Sequence, residues 1–263
     1  MKSVTPYSSL AVVYDAVMAH VDYEAWADYI LHLIDEFGWD GESEDAPSPT
    51  AGMQVLELGA GTGLLTEELL AQTDWTMLVT DGSSPMLAVA KVRLNSLESL
   101  KQRIRFQDLD FSTPWEVAGD FDCQLLLYDG FNYLLDTEQV ENLFASVKKA
   151  GRPRGLLVFD QSTPHNSINN ADFFEDDGEK GALRYHRKSH FDIEIGIHTT
   201  EFEISGPDGV FQEVHRQRAW TRAQVIDLLA QTDLEVIASL DGFSLDPAHD
   251  ESERIHWVVR LPG

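Results

Sequence analysis

The feature that most constrains the fold is a glycine-rich junction, VLELGAGTGLLTEELL at residues 55–70, where Gly59, Gly61 and Gly63 separate an apolar run from a helix-like run. A strand that enters a helix through glycines brings backbone N–H groups and the positive end of the helix dipole to one point. Glycine also permits a tight turn and close approach of a ligand, because it has no Cβ. The junction therefore predicts a ligand site, with a tight strand–helix turn alone as the alternative.

Short apolar runs alternate with helical runs after this junction, and the alternation predicts a parallel sheet with helices on both faces. Candidate strands lie at 54–58, 77–80, 104–107, 123–127 and 155–159, and candidate helices at 64–72, 85–97 and 137–149. Two later apolar runs, LEVIASL and RIHWVVRL, complete the sheet. The sequence therefore predicts an α/β, Rossmann-like fold with a seven-stranded, mostly parallel sheet.

The remaining segments are predicted to belong to the same single domain, 1–263. Two helical patterns, at 9–20 and 23–38, precede the polar stretch 38–52, which is typical of a surface loop. Polar–apolar alternation with a GPDG turn signal predicts an antiparallel insertion late in the chain. The predicted parts are an N-terminal helical cap, a ligand-binding core, the antiparallel insertion, and a final helix with two strands, at 1–37, 53–161, 182–220 and 221–263.

Three acidic positions in the core strengthen the ligand hypothesis. Glu57 lies inside an apolar strand, where a buried carboxylate costs several kcal/mol unless something pairs with it. Asp81 ends the second strand, where an acidic residue can accept both hydroxyls of a ribose. Asp110 and Phe111 follow the third strand and suit an adenine edge and face, with a turn cap as the alternative for Asp110. Asp108 competes with Asp110 for this role.

Four segments in order, LELGAGTG, TDGSSPMLAVAK, IRFQDLDF and FDCQLLLYDGFNYLLD, resemble the class I S-adenosylmethionine-dependent methyltransferases. The N-terminal YSSLAVVYDAVMAHVDYEAWADYI and the later EVHRQRAWT and ESERIHWVV are similar to small bacterial methyltransferases of unknown substrate and to amino-sugar N,N-dimethyltransferases. The resemblance covers nearly the whole chain. It implies S-adenosylmethionine as the cofactor but leaves the substrate open.

The resemblance also implies which positions hold the cofactor. The glycine junction would surround the methionine part, Asp81 would bind the ribose, and Asp110 would bond the adenine amine. Tyr14 would cover the cofactor from above, and Tyr128 would line its methionine end. The implied cofactor-binding residues are Tyr14, Glu57, Gly59, Ala60, Gly61, Gly63, Asp81, Met86, Asp110, Phe111 and Tyr128. The segment 82–84 departs from the usual pattern after the ribose carboxylate, which leaves its contacts open.

The candidate catalytic residues are Tyr14, Asp129 and His165. The sulfonium methyl is already a strong electrophile, so the protein must place an acceptor lone pair in line with it and exclude water. Asp129 and His165 follow the fourth and fifth strands, where open parallel sheets bind ligands. A helix cap is the alternative for Asp129 and a surface position the alternative for His165. Histidines, cysteine and carboxylates show no familiar metal-ligand spacing, so no metal is predicted.

The net charge and the cysteine content limit which partners and which location are expected. The chain has 45 Asp and Glu against 19 Lys and Arg, a net charge of −26 that disfavours nucleic acid as a partner. Apolar runs fall short of the ~20 residues of a membrane helix, so no membrane partner is expected. A single cysteine, Cys123, excludes a disulfide framework and favours a cytoplasmic location. The charge also suggests adaptation to high internal salt, and the sequence leaves monomer or homodimer open.

The expected function is therefore transfer of a methyl group from S-adenosylmethionine to the nitrogen or oxygen of a small molecule. Two alternatives remain from other classes. One is a regulator that binds S-adenosylmethionine without catalysis, because cofactor residues can persist without chemistry. The other is a nicotinamide-dependent oxidoreductase, which Leu64 disfavours because it occupies the third glycine position of the G-x-G-x-x-G pattern.

Overall fold

A computed structural model of the chain describes residues 2–38, 51–170 and 175–263. Most of the predicted surface loop at 38–52 lies outside these residues. The strands are β1 Lys2–Ser3, β2 Gln54–Leu58, β3 Thr76–Asp81, β4 Ile104–Asp108, β5 Phe121–Leu126, β6 Gly151–Ser162, β7 Glu175–Lys180, β8 Leu183–Asp192, β9 Ile197–Gly206, β10 Gly209–Arg218, β11 Glu235–Asp241 and β12 Arg254–Arg260. The α-helices are α1 Tyr14–Val17, α2 Tyr23–Phe37, α3 Leu64–Gln72, α4 Ser84–Asn95, α5 Thr137–Ala150, α6 Pro164–Asn169 and α7 Arg222–Ala230.

In the described part of the chain the larger sheet has seven strands in the order β11-β12-β6-β5-β2-β3-β4. The pairs among β2 to β6 are parallel, and β12 runs antiparallel to both β6 and β11. From β2 the chain proceeds outward through β3 and β4, then returns to β5 on the other side of β2. The predicted α/β fold with a mostly parallel seven-stranded sheet is confirmed.

Apolar side chains on the two faces of this sheet form separate cores, as the alternation of a pleated strand requires. Leu56 and Leu58 face one core, which holds the apolar faces of α5 and α7. Val55 faces the other core, which holds α2, α3 and α4. Helices therefore cover both faces, and the carboxyl ends of the parallel strands are left for a site.

Polar caps explain where several of these helices begin. Asp136 and Gln139 form a reciprocal capping box at the start of α5, and Thr221 and Gln224 form another at α7. Such caps satisfy the backbone N–H groups that a first helical turn leaves unpaired. Among the described helices, none is both long and apolar enough to cross a lipid bilayer.

The second sheet, in the order β1-β10-β9-β8-β7, forms a lid sheet from the late insertion and the N-terminus. The sequence predicted strands over β8 to β10 but not over β7 and β1. The sequence of β7, EDDGEK, lacks apolar alternation. It forms a regular antiparallel ladder with β8, and charged side chains add to the pairing: Arg187 donates to Asp176 at 2.6 Å, and the His186 ring lies 2.9 Å from Asp177. β1 is a two-residue strand parallel to β10, too short for any periodic signal.

Candidate active site

A cavity of about 600 Å³ lies over the carboxyl ends of β2, β3 and β5. This is the point where the order of the strands reverses, and open α/β sheets bind ligands at such points. Its floor comes from four segments that each follow a strand, and its roof from the N-terminal segment, α1 and α2. The lining residues from these segments include Thr5, Pro6, Tyr7, Ser8, Tyr14, Tyr23, Trp26, Glu57, Gly59, Ala60, Gly61, Asp81, Ser83, Met86, Asp110, Phe111, Tyr128 and Tyr133.

The glycine junction supplies a bare backbone at the base of this cavity. Gly59 and Gly61 both have positive φ angles, +68° and +60°. A Cβ on Gly59 would lie 3.2 Å from the Phe111 ring, so a side chain there would crowd the cavity wall. Gly63 has another role, because it caps α3 in the left-handed region and packs against Ala90 of α4 without lining the cavity.

Asp81 is fixed at the cavity wall by two backbone donors. The Gly61 N–H donates to one carboxylate oxygen at 2.8 Å, and the Ser83 N–H donates to the other at 2.7 Å. Burial raises the pKa of Asp81, and the two backbone hydrogen bonds oppose that rise. A carboxylate has about four lone-pair sites, so two remain for a ligand. This donor–acceptor geometry suits a group that offers two hydroxyls.

The structure separates the two competing carboxylates after β4. Asp110 lines the cavity and accepts hydrogen bonds from the backbone N–H and hydroxyl of Ser112, which is the turn cap considered as its alternative role. Asp108 instead accepts a hydrogen bond from Ser84 at 2.6 Å and does not line this cavity. Of the two, Asp110 is placed to reach a ligand.

Glu57 is a buried carboxyl group in the cavity floor, with 3% of its surface exposed. The Thr66 hydroxyl donates to it at 2.6 Å. Burial raises the pKa of Glu57 to about 7, against the Thr66 hydrogen bond, and the Asp81 charge adds to the rise. A cationic ligand beside Glu57 would favour its charged form.

Aromatic rings close the cavity from the side of the N-terminal helices. Trp26 packs on Tyr128 with ring centroids 5.1 Å apart, and Tyr23 stacks on the same ring at 6.1 Å. Tyr14 lines the cavity from α1, and burial holds its pKa well above the ordinary value. Next to it, Asp15 accepts a hydrogen bond from Thr62 at 2.7 Å, which ties α1 to the glycine junction. The helical roof of the cavity is thus joined directly to its glycine-rich floor.

Sequence reasoning missed the segment 5–8 as part of this cavity. Tyr7 packs edge-on against Tyr14, with ring centroids 6.0 Å apart. Residues 5–8 lie in an irregular segment before the first helix, so no periodicity could place them. The expected helix around residues 9–20 is split into the 3₁₀ helix Leu10–Val12 and the short α1.

Asp129 forms an ion pair that the sequence did not reveal. Arg254 donates to Asp129 at 2.7 Å and to the fully buried Asp160. Asp129 occupies the cap position of the 3₁₀ helix Gly130–Tyr133, but within this described segment its side chain makes no cap hydrogen bond. Tyr128 and Asp129 both have φ near +60°, a strained conformation that such contacts must hold. Arg254 therefore fixes the loop that presents Tyr128.

A second cavity of about 330 Å³ adjoins the first, and Tyr128 lines both. It lies between the carboxyl ends of β5 and β6 and the lid sheet. Its lining is mostly hydrogen-bonding side chains: His20, Asp129, Asn132, Ser162, Asn166, Ser167, Asn170, Arg187, Ser189, His198, Thr200 and Gln217. His165, although within the described residues, lies half-buried on α6 and lines neither cavity.

Comparisons with known proteins agree with this architecture. Residues 55–155 match the family described as methyltransferase domain. A protein of Geobacillus sp. (strain WCH70), named "Putative methyltransferase", is 26% identical over 262 residues, which cover 97% of this chain and 99% of that one.

Solved structures share the whole fold. A crystal structure of an S-adenosylmethionine-dependent methyltransferase from Clostridium acetobutylicum ATCC 824 is 23% identical, with a TM-score of 0.76 and coverage of 98% of this chain and 99% of that chain. S-adenosylmethionine-bound CalS10, an amino pentose methyltransferase from Micromonospora echinaspora, is 19% identical, with a TM-score of 0.66 and coverage of 94% and 96%.

Residues 55–155 therefore carry a methyltransferase domain, and the chain as a whole shares its fold with solved S-adenosylmethionine-dependent methyltransferases. S-adenosylmethionine, the cofactor expected from the sequence, is the cofactor named for both of these solved structures. The cavity also fits it on its own chemistry, because a bare glycine turn, a carboxylate with free acceptor sites and a buried carboxyl of raised pKa meet in one place.

Proposed function

We propose that the protein transfers a methyl group from S-adenosylmethionine to a nitrogen or oxygen of a small-molecule acceptor. The observation that carries this proposal is the pair of adjoining cavities that share Tyr128, one with nucleoside-binding groups and one lined by hydrogen-bonding side chains. The first would hold the cofactor and the second the acceptor. We further propose that the N-terminal cap, the core, the insertion and the final segment act as one cytoplasmic catalytic unit, as a monomer or homodimer.

The proposed cofactor contacts follow from the cavity walls. Asp81 would accept the ribose hydroxyls, and Asp110 the adenine amine. Phe111 and Met86, which both line the cavity, would enclose the adenine ring. Gly59, Ala60 and Gly61 offer bare backbone to the methionine part, where Glu57 would meet positive charge. Gly63 would support this turn through its packing on α4.

The acceptor we propose is a polar amine or alcohol. The second cavity offers amide, hydroxyl and imidazole groups, which suit an acceptor that carries several hydroxyls or amines. CalS10, which shares the fold, is an amino pentose methyltransferase, and that chemistry would suit this lining. Bound S-adenosylmethionine supplies the electrophilic methyl group, and the protein's part is to orient the acceptor and exclude water.

The three catalytic candidates receive different roles in this proposal. Tyr14 would cover the reacting centre from above, because it lines the cofactor cavity. Asp129 would position the loop of Tyr128 and face the acceptor cavity, with its charge held by Arg254. His165 stays a prediction, and its place on α6 puts it behind the wall of the second cavity rather than in the lining.

The test is release of S-adenosylhomocysteine by the purified protein with a panel of small amines and alcohols, including D-glucosamine. Turnover with a member of the panel supports the proposal. Tight binding of S-adenosylmethionine with no turnover across a broad metabolite library would favour a non-catalytic regulator. Binding of a nicotinamide dinucleotide in preference to S-adenosylmethionine would contradict the proposal.

A further inference from the structure

A chain of hydrogen bonds leads from the cofactor cavity into the lid sheet. The hydroxyl oxygens of Tyr7 and Tyr133 lie 2.5 Å apart. The Tyr133 hydroxyl lies 3.1 Å from Nδ1 of His215, and Nε2 of His215 lies 3.2 Å from the Glu213 carboxylate. The four residues come from the N-terminal segment, from the 3₁₀ helix after β5 and from β10. The fold therefore brings three distant parts of the chain into one continuous path.

The two ends of this path differ in their access to ligand. Tyr7 and Tyr133 line the cofactor cavity, whereas His215 is 2% exposed and Glu213 fully buried. Burial raises the pKa of both tyrosines well above the ordinary value, so both remain phenols at neutral pH. A phenol can accept one proton while it donates another. The path can therefore pass a proton without forming a phenolate.

Glu213 fixes the imidazole and the roof at once. Its carboxylate accepts hydrogen bonds from the backbone N–H groups of Tyr7 at 2.7 Å and Leu10 at 2.9 Å, and also from that of Ser9. A carboxylate held by backbone donors can orient an imidazole so that its other nitrogen accepts a proton. The same buried side chain thus holds the segment that carries Tyr7 and sets the direction of the path.

The groups facing the His215 ring come from four elements. Tyr7 packs edge-on at 4.6 Å, Tyr133 at 6.3 Å, and the apolar ring of Phe202 on β9 at 5.4 Å. Glu213, on the same strand, supplies the adjacent negative charge. Farther along the path, the charges of Asp81 and Asp129 act on Tyr133. Positive charge on the imidazole therefore meets a carboxylate and polarisable rings.

Resting on the methyl transfer proposed above, we propose that Tyr7, Tyr133, His215 and Glu213 carry the acceptor's proton away from the reacting centre. The acceptor's lone pair forms a bond to the methyl carbon, and the carbon–sulfur bond breaks with its electron pair left on sulfur. To reach the methyl group, the acceptor's reacting atom must enter the cofactor cavity, which Tyr7 lines. There its N–H or O–H proton passes to Tyr7, the Tyr7 proton to Tyr133, and the Tyr133 proton to Nδ1 of His215. Glu213 stabilises the resulting imidazolium, so His215 is the base and Glu213 its positioning residue.

The first test needs no acceptor. Nitrogen-15 NMR of histidine-labelled protein bound to S-adenosylhomocysteine, assigned by loss of a signal in His215→Asn, reports which ring nitrogen carries the proton. The proposal expects neutral His215 to be protonated at Nε2, with a free Nδ1 whose signal shifts in Tyr133→Phe. The proposal would be overturned if the neutral His215 ring carried its proton on Nδ1. It would also be overturned if the Nδ1 signal did not change in Tyr133→Phe.

The second test follows S-adenosylhomocysteine formation against pH with D-glucosamine as the probe acceptor. His215→Asn should lower the rate by roughly 10²-fold, a typical contribution of general base catalysis, and change its dependence on pH. Tyr133→Phe should do the same, while affinity for S-adenosylhomocysteine changes by less than about threefold. The matched controls are His190→Asn and Tyr185→Phe, at lid-sheet positions outside the path.

The outcomes separate the two proposals. An unchanged rate and pH profile in both path variants would overturn the proton path and leave methyl transfer intact. Absence of turnover by the unaltered protein across the whole acceptor panel would count against the proposed function instead, and the NMR result would still decide the geometry of the path.

Discussion

At the scale of single residues, Asp81 carries the most specific contact proposed for the cofactor. Its carboxylate is already oriented by Gly61 and Ser83, so Asp81→Ala removes an acceptor that is in place before the ligand arrives. We expect affinity for S-adenosylmethionine to fall by roughly 1.5–3 kcal/mol, the usual value of hydrogen bonds to a charged group. Calorimetric titration of folded protein measures this. Asp108→Ala, on the neighbouring strand β4 but outside the cavity and bonded to Ser84, should bind normally.

Glu57 predicts a pH dependence of stability. Its pKa is raised to about 7 in the folded protein from 4.5, so the associated stabilisation is fully present below pH 4.5 and is lost as the pH rises through about 7. Between about pH 5.5 and about pH 8 the free energy of unfolding should fall by about 2 kcal/mol from this group alone. Urea unfolding at the two pH values checks this. In Glu57→Gln that contribution should disappear, and a decrease as large as in the unaltered protein would contradict the assignment.

The residues that the sequence identified are those fixed by local chemistry. Strand-end carboxylates such as Asp81 and glycines at a strand–helix junction can be read from position alone. Tyr7 and His215 could not be placed, because their roles depend on contacts between segments more than 200 residues apart. Asp129 was identified, but its partner Arg254 lies 125 positions later and pairs with it only through the sheet register.

At the scale of elements, β12 stabilises the loop after β5. Arg254 on β12 holds Asp129 and the buried Asp160, and its guanidinium lies over the rings of Trp26 and Tyr128. Arg254→Met would leave two carboxylates without their cation, which typically costs about 3–5 kcal/mol for a buried pair. We expect the midpoint of urea denaturation to fall accordingly. Arg105→Met, at an exposed position on β4, should leave it nearly unchanged.

Elements with a strong period were predicted well and those without one were not. The bounds of β2 and α3 coincide with the prediction, because each has an uninterrupted apolar pattern ended by glycine or polar residues. β7 was missed because its sequence lacks apolar alternation, and the helix predicted at 9–20 was too long because its pattern spans a break at Val13. Contacts between strands and between distant segments determine where these two elements form, and such contacts leave no periodic pattern in the sequence.

At the scale of the whole molecule, the net charge of −26 predicts a response to salt. Many like charges on one surface repel each other, and ions screen that repulsion over a Debye length of about 3 Å at 1 M. We expect the melting temperature to rise in molar potassium chloride relative to dilute buffer. Equal melting temperatures, measured by calorimetry in the two solutions, would contradict both the repulsion and the hypothesis of adaptation to high salt.

The central claim is that the cavity over β2, β3 and β5 holds S-adenosylmethionine. Isothermal titration of the folded protein with S-adenosylmethionine and S-adenosylhomocysteine, run beside a nicotinamide dinucleotide, tests it most directly. The account predicts one site per chain for each of the first two ligands, weakened in Asp81→Ala, and much weaker binding of the dinucleotide. Folded protein that takes up neither S-adenosylmethionine nor its demethylated product at millimolar concentration would contradict the account.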